Sequence, residues 1–262
     1  MTFGVQVCTP FFCMGRDFVM VSLEGKVTLV TGASSGIGRA IAIAFGELGA
    51  KVVVAARQRE ALEETANRVR EAGGEALVCV ADISREDDVR RLFASAMEAH
   101  GRLDVLVNNA GVTTSQPIEE MSLETWRQVV DVNLTGTFLC SREAFRIMKP
   151  QGGGRIINIG SVAAKVPRPN SVPYTTTKHG LSGMTHALAL DGRDHGIAVS
   201  ILHPGVTESA LAAKSGRKFE PGDLMKAEDV ARVAAVMATL PHDVNLYEST
   251  MFPLSMPLLG RG

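Results

Sequence analysis

From Val27 onward the chain alternates between two patterns of apolar and polar positions. Short, continuous apolar runs rich in Val and Ile recur: VTLVTG from 27, KVVVAA from 51, EALVCVAD from 75, LDVLVNNAG from 103, RIINIGS from 155 and IAVSILHPG from 197. Runs of this length without polar alternation, bounded by Gly, Asp, Asn or Pro, predict strands buried on both faces of a parallel sheet. Between them apolar residues step by three and four, as on one face of a helix. The clearest such stretch starts at Gly36, with Ile37, Ala40, Ile41, Ala44, Phe45 and Leu48 on one side and Gly49 as its C-cap. Residues 57–72, 86–99, 123–148 and 174–194 read the same way, the last with Leu181, Met184 and Leu188 on one face. A seventh strand is predicted over 246–252. Regular strand–helix alternation predicts a doubly wound α/β fold: a parallel sheet of about seven strands with helices on both faces. No linker or internal repeat divides the body, so residues 23–262 are expected to form a single domain.

Composition narrows the picture only in places. The chain has 262 residues, 45% apolar and 21% charged, enough for a large core and incompatible with wholesale disorder. Its net charge of −1 lacks the basic excess of a general nucleic-acid binder. No run of about twenty apolar residues occurs, so no membrane-crossing helix is expected. Cys8, Cys13, Cys79 and Cys140 form no C-x-x-C pair and no metal-ligand spacing, which favours a reducing cytoplasm and no metal site. Residues 1–22 are apolar but broken by Pro10 and Gly15, and they lack the basic start of a signal peptide. They read as an extension outside the domain. It is either disordered, an artefact of start-codon choice with Met20 as the alternative start, or an arm packed on the surface. The 26 glycines against only 2 tyrosines make any Tyr inside a motif informative.

The segment TGASSGIG, residues 31–38, joins the first strand to the first helix. A helix N-terminus presents unpaired N–H groups and partial positive charge to a phosphate. Gly32, Gly36 and Gly38 permit the turn and a close backbone approach, with Ser34, Ser35 and Ile37 completing the cradle of a dinucleotide. The second strand ends Ala55-Ala56-Arg57, where a carboxylate would favour NAD by holding the ribose hydroxyls. Arg57 instead suits a 2′-phosphate, so NADP(H) is favoured and NAD(H) is kept open. Arg57 as a solvated helix-start residue is the plainer reading. Arg59 and Arg39 are further candidates, Arg59 the weaker. Asp82 and Ile83 after the third strand, and Asn109, Ala110 and Gly111 after the fourth, stand at the carboxyl ends where open sheets bind ligands.

Tyr174 and Lys178 are spaced i, i+4, which puts both on one helix face, where an ammonium is expected to lower the phenol's pKa. Ser161 ends the fifth strand 13 residues earlier, and its hydroxyl suits a carbonyl oxygen, although a strand-end serine is usually a turn former. Asn133 has poor helix propensity in a helical stretch, which often marks a hydrogen-bonding task.

Together these residues resemble the single-domain short-chain dehydrogenases/reductases: TGASSGIG at 31–38, NNAG at 108–111, Asn133, Ser161, YTTTK at 174–178 and HPG at 203–205. The resemblance spans about residues 23–240 and implies a Rossmann-type fold and hydride transfer between nicotinamide and a carbonyl/alcohol pair. It implies Tyr174 as general acid or base and Ser161 as the group positioning the substrate oxygen. Lys178 would bond the nicotinamide ribose and lower the tyrosine pKa, and Asn133 would hold a water that relays protons to Lys178. Pro204, Gly205 and Thr207 would line the nicotinamide side. Ser209 stands where the family often has Thr four residues after the glycine, which keeps the hydroxyl.

The family resemblance places a substrate loop at 206–226, with Lys214, Arg217 and Lys218 either meeting an anionic substrate or lying in solvent. Arg168, in VPRPNSVP from 166, also borders the expected site. The resemblance further implies a homotetramer or homodimer built on the helices near 123–148 and 174–194. The apolar tail MFPLSMPLLGRG is expected to cover either a neighbouring subunit or the active site. The expected partner is a small carbonyl or alcohol, with neither nucleic acid nor membrane. The alternative function is a non-catalytic NAD(P)-binding sensor or scaffold on the same fold. A longer nucleotide-sugar epimerase would need a larger C-terminal substrate domain.

Overall fold

The computed structural model describes residues 22–208 and 223–256. Seven strands, β1 (Val27–Thr31), β2 (Lys51–Ala56), β3 (Glu75–Val80), β4 (Val105–Asn108), β5 (Gly154–Ile159), β6 (Ile197–Pro204) and β7 (Glu248–Met251), form one sheet in the order β3-β2-β1-β4-β5-β6-β7. Every pairing is parallel. Burial on both faces explains the missing polar alternation: in β2, Val52 and Val54 enter one core while Val53 and Ala55 enter the other.

Helices α1 (Gly36–Glu47), α2 (Arg59–Glu71), α3 (Glu86–His100), α4 (Leu123–Val130), α5 (Gly136–Gln151), α6 (Val172–Arg193) and α7 (Ala227–Thr239) flank this sheet. One core joins Ile41 and Phe45 of α1, Leu62 and Val69 of α2, and Val230, Ala234 and Met237 of α7. The opposite core joins Val89, Leu92 and Phe93 of α3 with Leu139, Cys140, Ala144 and Met148 of α5. Burial pushes the Cys140 thiol up to about 12, which makes it an inert core residue. Gly49, expected as a C-cap, lies just after the cap residue Leu48 with φ +83°, in the left-handed region that glycine favours.

One expectation is corrected, and one helix is added. The helix predicted over 123–148 is not continuous: a π-helical turn, Asp131–Thr135, separates α4 from α5. β-branched Val132 and Thr135 and the poor helix former Asn133 occupy it, so the regular ladder is weakest there. Helix α7 has no counterpart in the sequence reading, although Val230, Ala234 and Met237 recur at helical spacing on its buried face. The predicted extension at 1–22 lies outside the described residues except for Ser22. No helix among the described residues is long and apolar enough to cross a membrane.

Arg155, on β5, is buried and anchors the end of α7. Its guanidinium donates to the carbonyls of Leu240 (2.7 Å), Val244 (3.0 Å) and Pro241. Removing it takes the side-chain donor from the Leu240 and Val244 carbonyls and leaves Pro241 with the Val244 amide alone, so the charged hydrogen bonds that hold this end of α7 are lost. Arg155→Met is expected to destabilise the protein by about 2–3 kcal/mol in urea unfolding, and a loss below about 0.5 kcal/mol would contradict this anchoring.

Candidate active site

The carboxyl ends of the strands open into a cleft of about 800 Å³. It sits where the sheet order reverses, between β1 and β4, so the crossovers on either side leave a crevice. At one end the chain leaves β1 through Gly32 (φ +65°), and Gly36 (φ +54°) opens α1. A Cβ at Gly38 would fall 2.3 Å from both the Gly32 carbonyl oxygen and Asn109 Nδ2, so α1 begins hard against the loop. A Cβ at Gly32 would fall 2.8 Å from Ala110 Cα. Ser35 caps α1 without a side-chain bond, and no acidic residue occupies the first turn. Gly32, Ser34, Ser35, Gly36 and Ile37 line the cleft, while Gly38 lies behind them.

Arg57, at the end of β2, is exposed, lines the cleft and has no ion pair among the described residues. Arg39, the further candidate, already has partners. Its guanidinium forks onto Glu64 (2.6 and 3.0 Å) and donates to the Ser34 carbonyl (2.6 Å) and to Thr65, tying α1 to α2 rather than standing free for a phosphate. Arg59 is exposed and pairs with Glu63 one turn on. Asp82 and Ile83 line the cleft, and Asp82 Oδ1 accepts from the Ser84 amide and hydroxyl. Asn109, Ala110 and Gly111 also line it, but the Asn109 carboxamide donates to the carbonyls of Thr31 (3.0 Å) and Gly32 (3.2 Å). Its side chain therefore braces the loop.

At the other end lie Ser161, Tyr174 and Lys178, 6%, 7% and 6% exposed. Ser161 follows β5, and its Oγ accepts from the Ala163 amide (3.1 Å), which starts a short 3₁₀ turn. Pro173 opens α6 with its ring where an amide donor is dispensable, and sets Tyr174 in the first turn. Lys178 Nζ lies 5.6 Å from the centre of the Tyr174 ring and donates to the Ile159 carbonyl (2.8 Å).

Burial holds the Tyr174 phenol above its ordinary range, against the lowering effects of a Ser161 hydrogen bond and the Arg168 charge. This corrects the expected lowering by Lys178. Burial outweighs the neighbouring charge, and burial also pulls Lys178 itself down to about 8. Asn133 does not line the cleft. Its carboxamide donates to the Val112 carbonyl (2.9 Å) and to Thr177 Oγ1 (3.1 Å), and accepts from the Val112 amide (2.8 Å). The π turn carries it to this position between the end of β4 and α6.

Pro204, Gly205 and Thr207 line the wall beyond β6, with Gly205 so close to β7 that a Cβ would lie 2.7 Å from that of Phe252. The sequence reading missed the facing wall of Val112, Thr113, Thr114 and Ser115, since a loop without charge or periodicity carries no signal. Arg168 lines the cleft as expected. Met256 lines it too, so the last described part of the tail turns to the cleft of its own chain. Ser209, Lys214, Arg217 and Lys218 lie outside the described residues. No cluster of metal-ligating side chains occurs among the described residues.

Comparison with known proteins agrees with this geometry. Residues 26–220 match the family model described as short chain dehydrogenase. The chain is 41% identical over 199 residues to a 3beta-hydroxysteroid dehydrogenase of Mediterraneibacter gnavus, covering 76% of this chain and 72% of that protein. The crystal structure of a Brucella melitensis 3-ketoacyl-(acyl-carrier-protein) reductase complexed with NADH is 34% identical with a TM-score of 0.82, over 88% of this chain and 98% of that one. A metagenomic short-chain oxidoreductase in complex with NADP is 36% identical with a TM-score of 0.79, again over 88% and 98%. Fold, cleft and sequence agree that the chain belongs to the short-chain dehydrogenases/reductases, oxidoreductases on a Rossmann-type sheet.

Proposed function

We propose that this protein transfers a hydride between NADP(H) and a carbonyl/secondary alcohol pair, with Tyr174 as the general acid/base. The observation that carries this reading is one cleft with a glycine cradle at one end and Ser161, Tyr174 and Lys178, all buried, at the other. The residues present fit a nicotinamide dinucleotide. No Cβ can stand at Gly32 or Gly38 without meeting backbone, so the wall there is bare main chain at the open N-terminus of α1. Gly32, Ser34, Ser35, Gly36 and Ile37 would hold its pyrophosphate. Asp82, Ile83 and the Asn109–Gly111 turn would meet its adenosine half. Pro204, Gly205 and Thr207 would meet its nicotinamide. When bound, the nicotinamide supplies hydride in reduction and accepts it in oxidation.

The protein's own groups manage the proton. Tyr174, kept protonated by burial, donates from its phenol to the carbonyl oxygen as charge develops there, and takes the proton back from an alcohol in the reverse direction. The Ser161 hydroxyl holds the same oxygen. Lys178 stands on the same helix face and would hold the nicotinamide ribose, its positive charge favouring phenolate when oxidation requires it. Asn133 ties α6 to the end of β4 through Thr177 and Val112, and so supports the proton path to Lys178.

Preference for NADP rests on Arg57, exposed in the cleft wall at the end of β2, and on a strand end without a carboxylate. Relatives are known with each cofactor, so the family alone does not decide. Residues 23–262 are taken as one catalytic domain of a cytoplasmic homotetramer or homodimer. Exposed Phe138 and Leu190 on α5 and α6 support pairing through those helices.

A panel of carbonyls and alcohols followed by NADPH absorbance tests the reaction, and no turnover on any of them would leave a nucleotide-binding protein without catalysis. Tyr174→Phe is expected to lower kcat by about a thousandfold or more with NADPH affinity unchanged. NADPH should bind about tenfold or more tighter than NADH by fluorescence titration, and Arg57→Ala should close most of that gap. Equal affinities in the wild type would overturn the role of Arg57.

Lys178 also makes stability depend on pH. Its folded pKa of about 8 lies below the usual 10.5, so the unfolded chain binds more protons between these values. Its contribution to stability therefore rises as pH increases from about 8 toward 10.5. The wild type is expected to gain up to about 3 kcal/mol relative to Lys178→Met over that window in urea unfolding without cofactor, and parallel curves would refute the buried cation.

A further inference from the structure

We propose that His203 and Glu248 form a positioning pair behind Ser161, in which Glu248 fixes the Nε2–H tautomer of His203 so that Nδ1 accepts the Ser161 backbone N–H and aims its hydroxyl. The inference rests on the carbonyl-reducing role proposed above. His203 is fully buried on β6, directly beneath Gly160, where a Cβ would come 2.5 Å from Nδ1. Glycine at 160 therefore allows the ring to reach the main chain of Ser161. Nδ1 lies 3.2 Å from the Ser161 nitrogen and 3.0 Å from its oxygen. The Ser161 carbonyl already accepts from the Ala164 amide (2.9 Å), whereas His203 is the acceptor the structure gives its N–H. Only a ring with an unprotonated Nδ1 satisfies both groups.

The other ring nitrogen determines which form is present. Nε2 is buried without an aligned hydrogen bond and faces Glu248 Oε1 at 3.3 Å. A proton on Nε2 points at a carboxylate, and a lone pair there would be repelled by it, so Glu248 selects the Nε2–H tautomer. Around this pair stand Lys165, which bonds Glu248, His186, 3.3 Å from Glu248 Oε2 and stacked on Tyr247, and Lys178. Burial and the two lysines oppose a second proton on His203, while Ser161 and Glu248 favour one; burial is the largest effect and keeps the ring neutral. Protonation at Nδ1 would turn the ring's acceptor into a donor, and the Ser161 N–H would lose its partner.

Glu248 variants test this without emptying the buried His203 site. In ¹⁵N-histidine-labelled protein at neutral pH, His203 should show the Nε2–H tautomer, with ring signals told apart by single substitutions of the chain's other histidines. Glu248→Leu removes the acceptor and should shift the ring toward Nδ1–H, while Glu248→Gln keeps an acceptor and the tautomer. With an active carbonyl substrate, Glu248→Leu should lower kcat about tenfold at unchanged NADPH affinity, and Glu248→Gln by less than about threefold. Lys165→Met should stay within about twofold, because it removes a half-exposed ion pair and leaves Glu248 facing His203 and His186. A wild-type Nδ1–H tautomer, a tautomer unmoved in Glu248→Leu, or equal losses in the Leu and Gln variants would overturn the pair. Absence of turnover in the wild type would instead refute the proposed reaction, and the tautomer would still decide the pairing.

Discussion

The seam between β1 and β4 is the constraint on which the rest of the cleft depends. At the point where the strand order reverses, the two carboxyl ends must stay side by side while their following segments leave in opposite directions. Thr31 and Asn109 hold them. The buried Thr31 hydroxyl donates to the Val107 carbonyl and accepts from the amides of Asn109 and Ala110. The Asn109 carboxamide returns two bonds to the carbonyls of Thr31 and Gly32. The glycine cradle is thus fastened to the sheet from the neighbouring strand, and α1 can start against it without a side chain between them.

The far end of the cleft is fastened by a second polar chain through the core. Asn108 on β4 donates to Asn158 on β5 and to Ser141 on α5, and Asn158 donates to Thr185 on α6. Buried hydrogen bonds of this kind add little net stability but fix geometry, because leaving any member unpaired is costly. Here they dock α6 at one height and rotation, which sets where Tyr174 and Lys178 point. The same docking buries both side chains, and burial opposes the charged form of each. The fold therefore gives up stability to hold two ionisable groups buried in a fixed arrangement beside the cleft.

Most of this was legible in the sequence for definite reasons. Strands buried on both faces leave unbroken Val and Ile runs, and six of the seven were placed that way. The glycine cradle and the i, i+4 spacing of Tyr174 and Lys178 are local patterns that helix geometry alone interprets. What was not legible depends on contacts between distant segments. Helix α7 carries its apolar stripe largely on alanines that pack against α1, and the use of Arg39 as a strut depends on Glu64, 25 residues away. The direction of the Tyr174 shift was misread because i, i+4 spacing reports a neighbour and not the depth of burial. His203 gave no signal beyond its place before Pro204, since its partners come from Ser161 and from β7.

The π turn between α4 and α5 fixes a phase as well as a side chain. Each residue of a helix advances its face by about 100°, so the length of this segment sets how every later position of α5 is rotated about its axis. Losing one residue between Asp131 and Thr135 would carry Leu139, Cys140, Ala144 and Met148 off the sheet by that angle and take Asn133 away from Thr177. Substitutions here act locally, but a change of length is read by the whole helix. The segment is accordingly both a spacer, whose count of residues sets the phase of α5, and a seat for Asn133, whose carboxamide joins Val112 to Thr177.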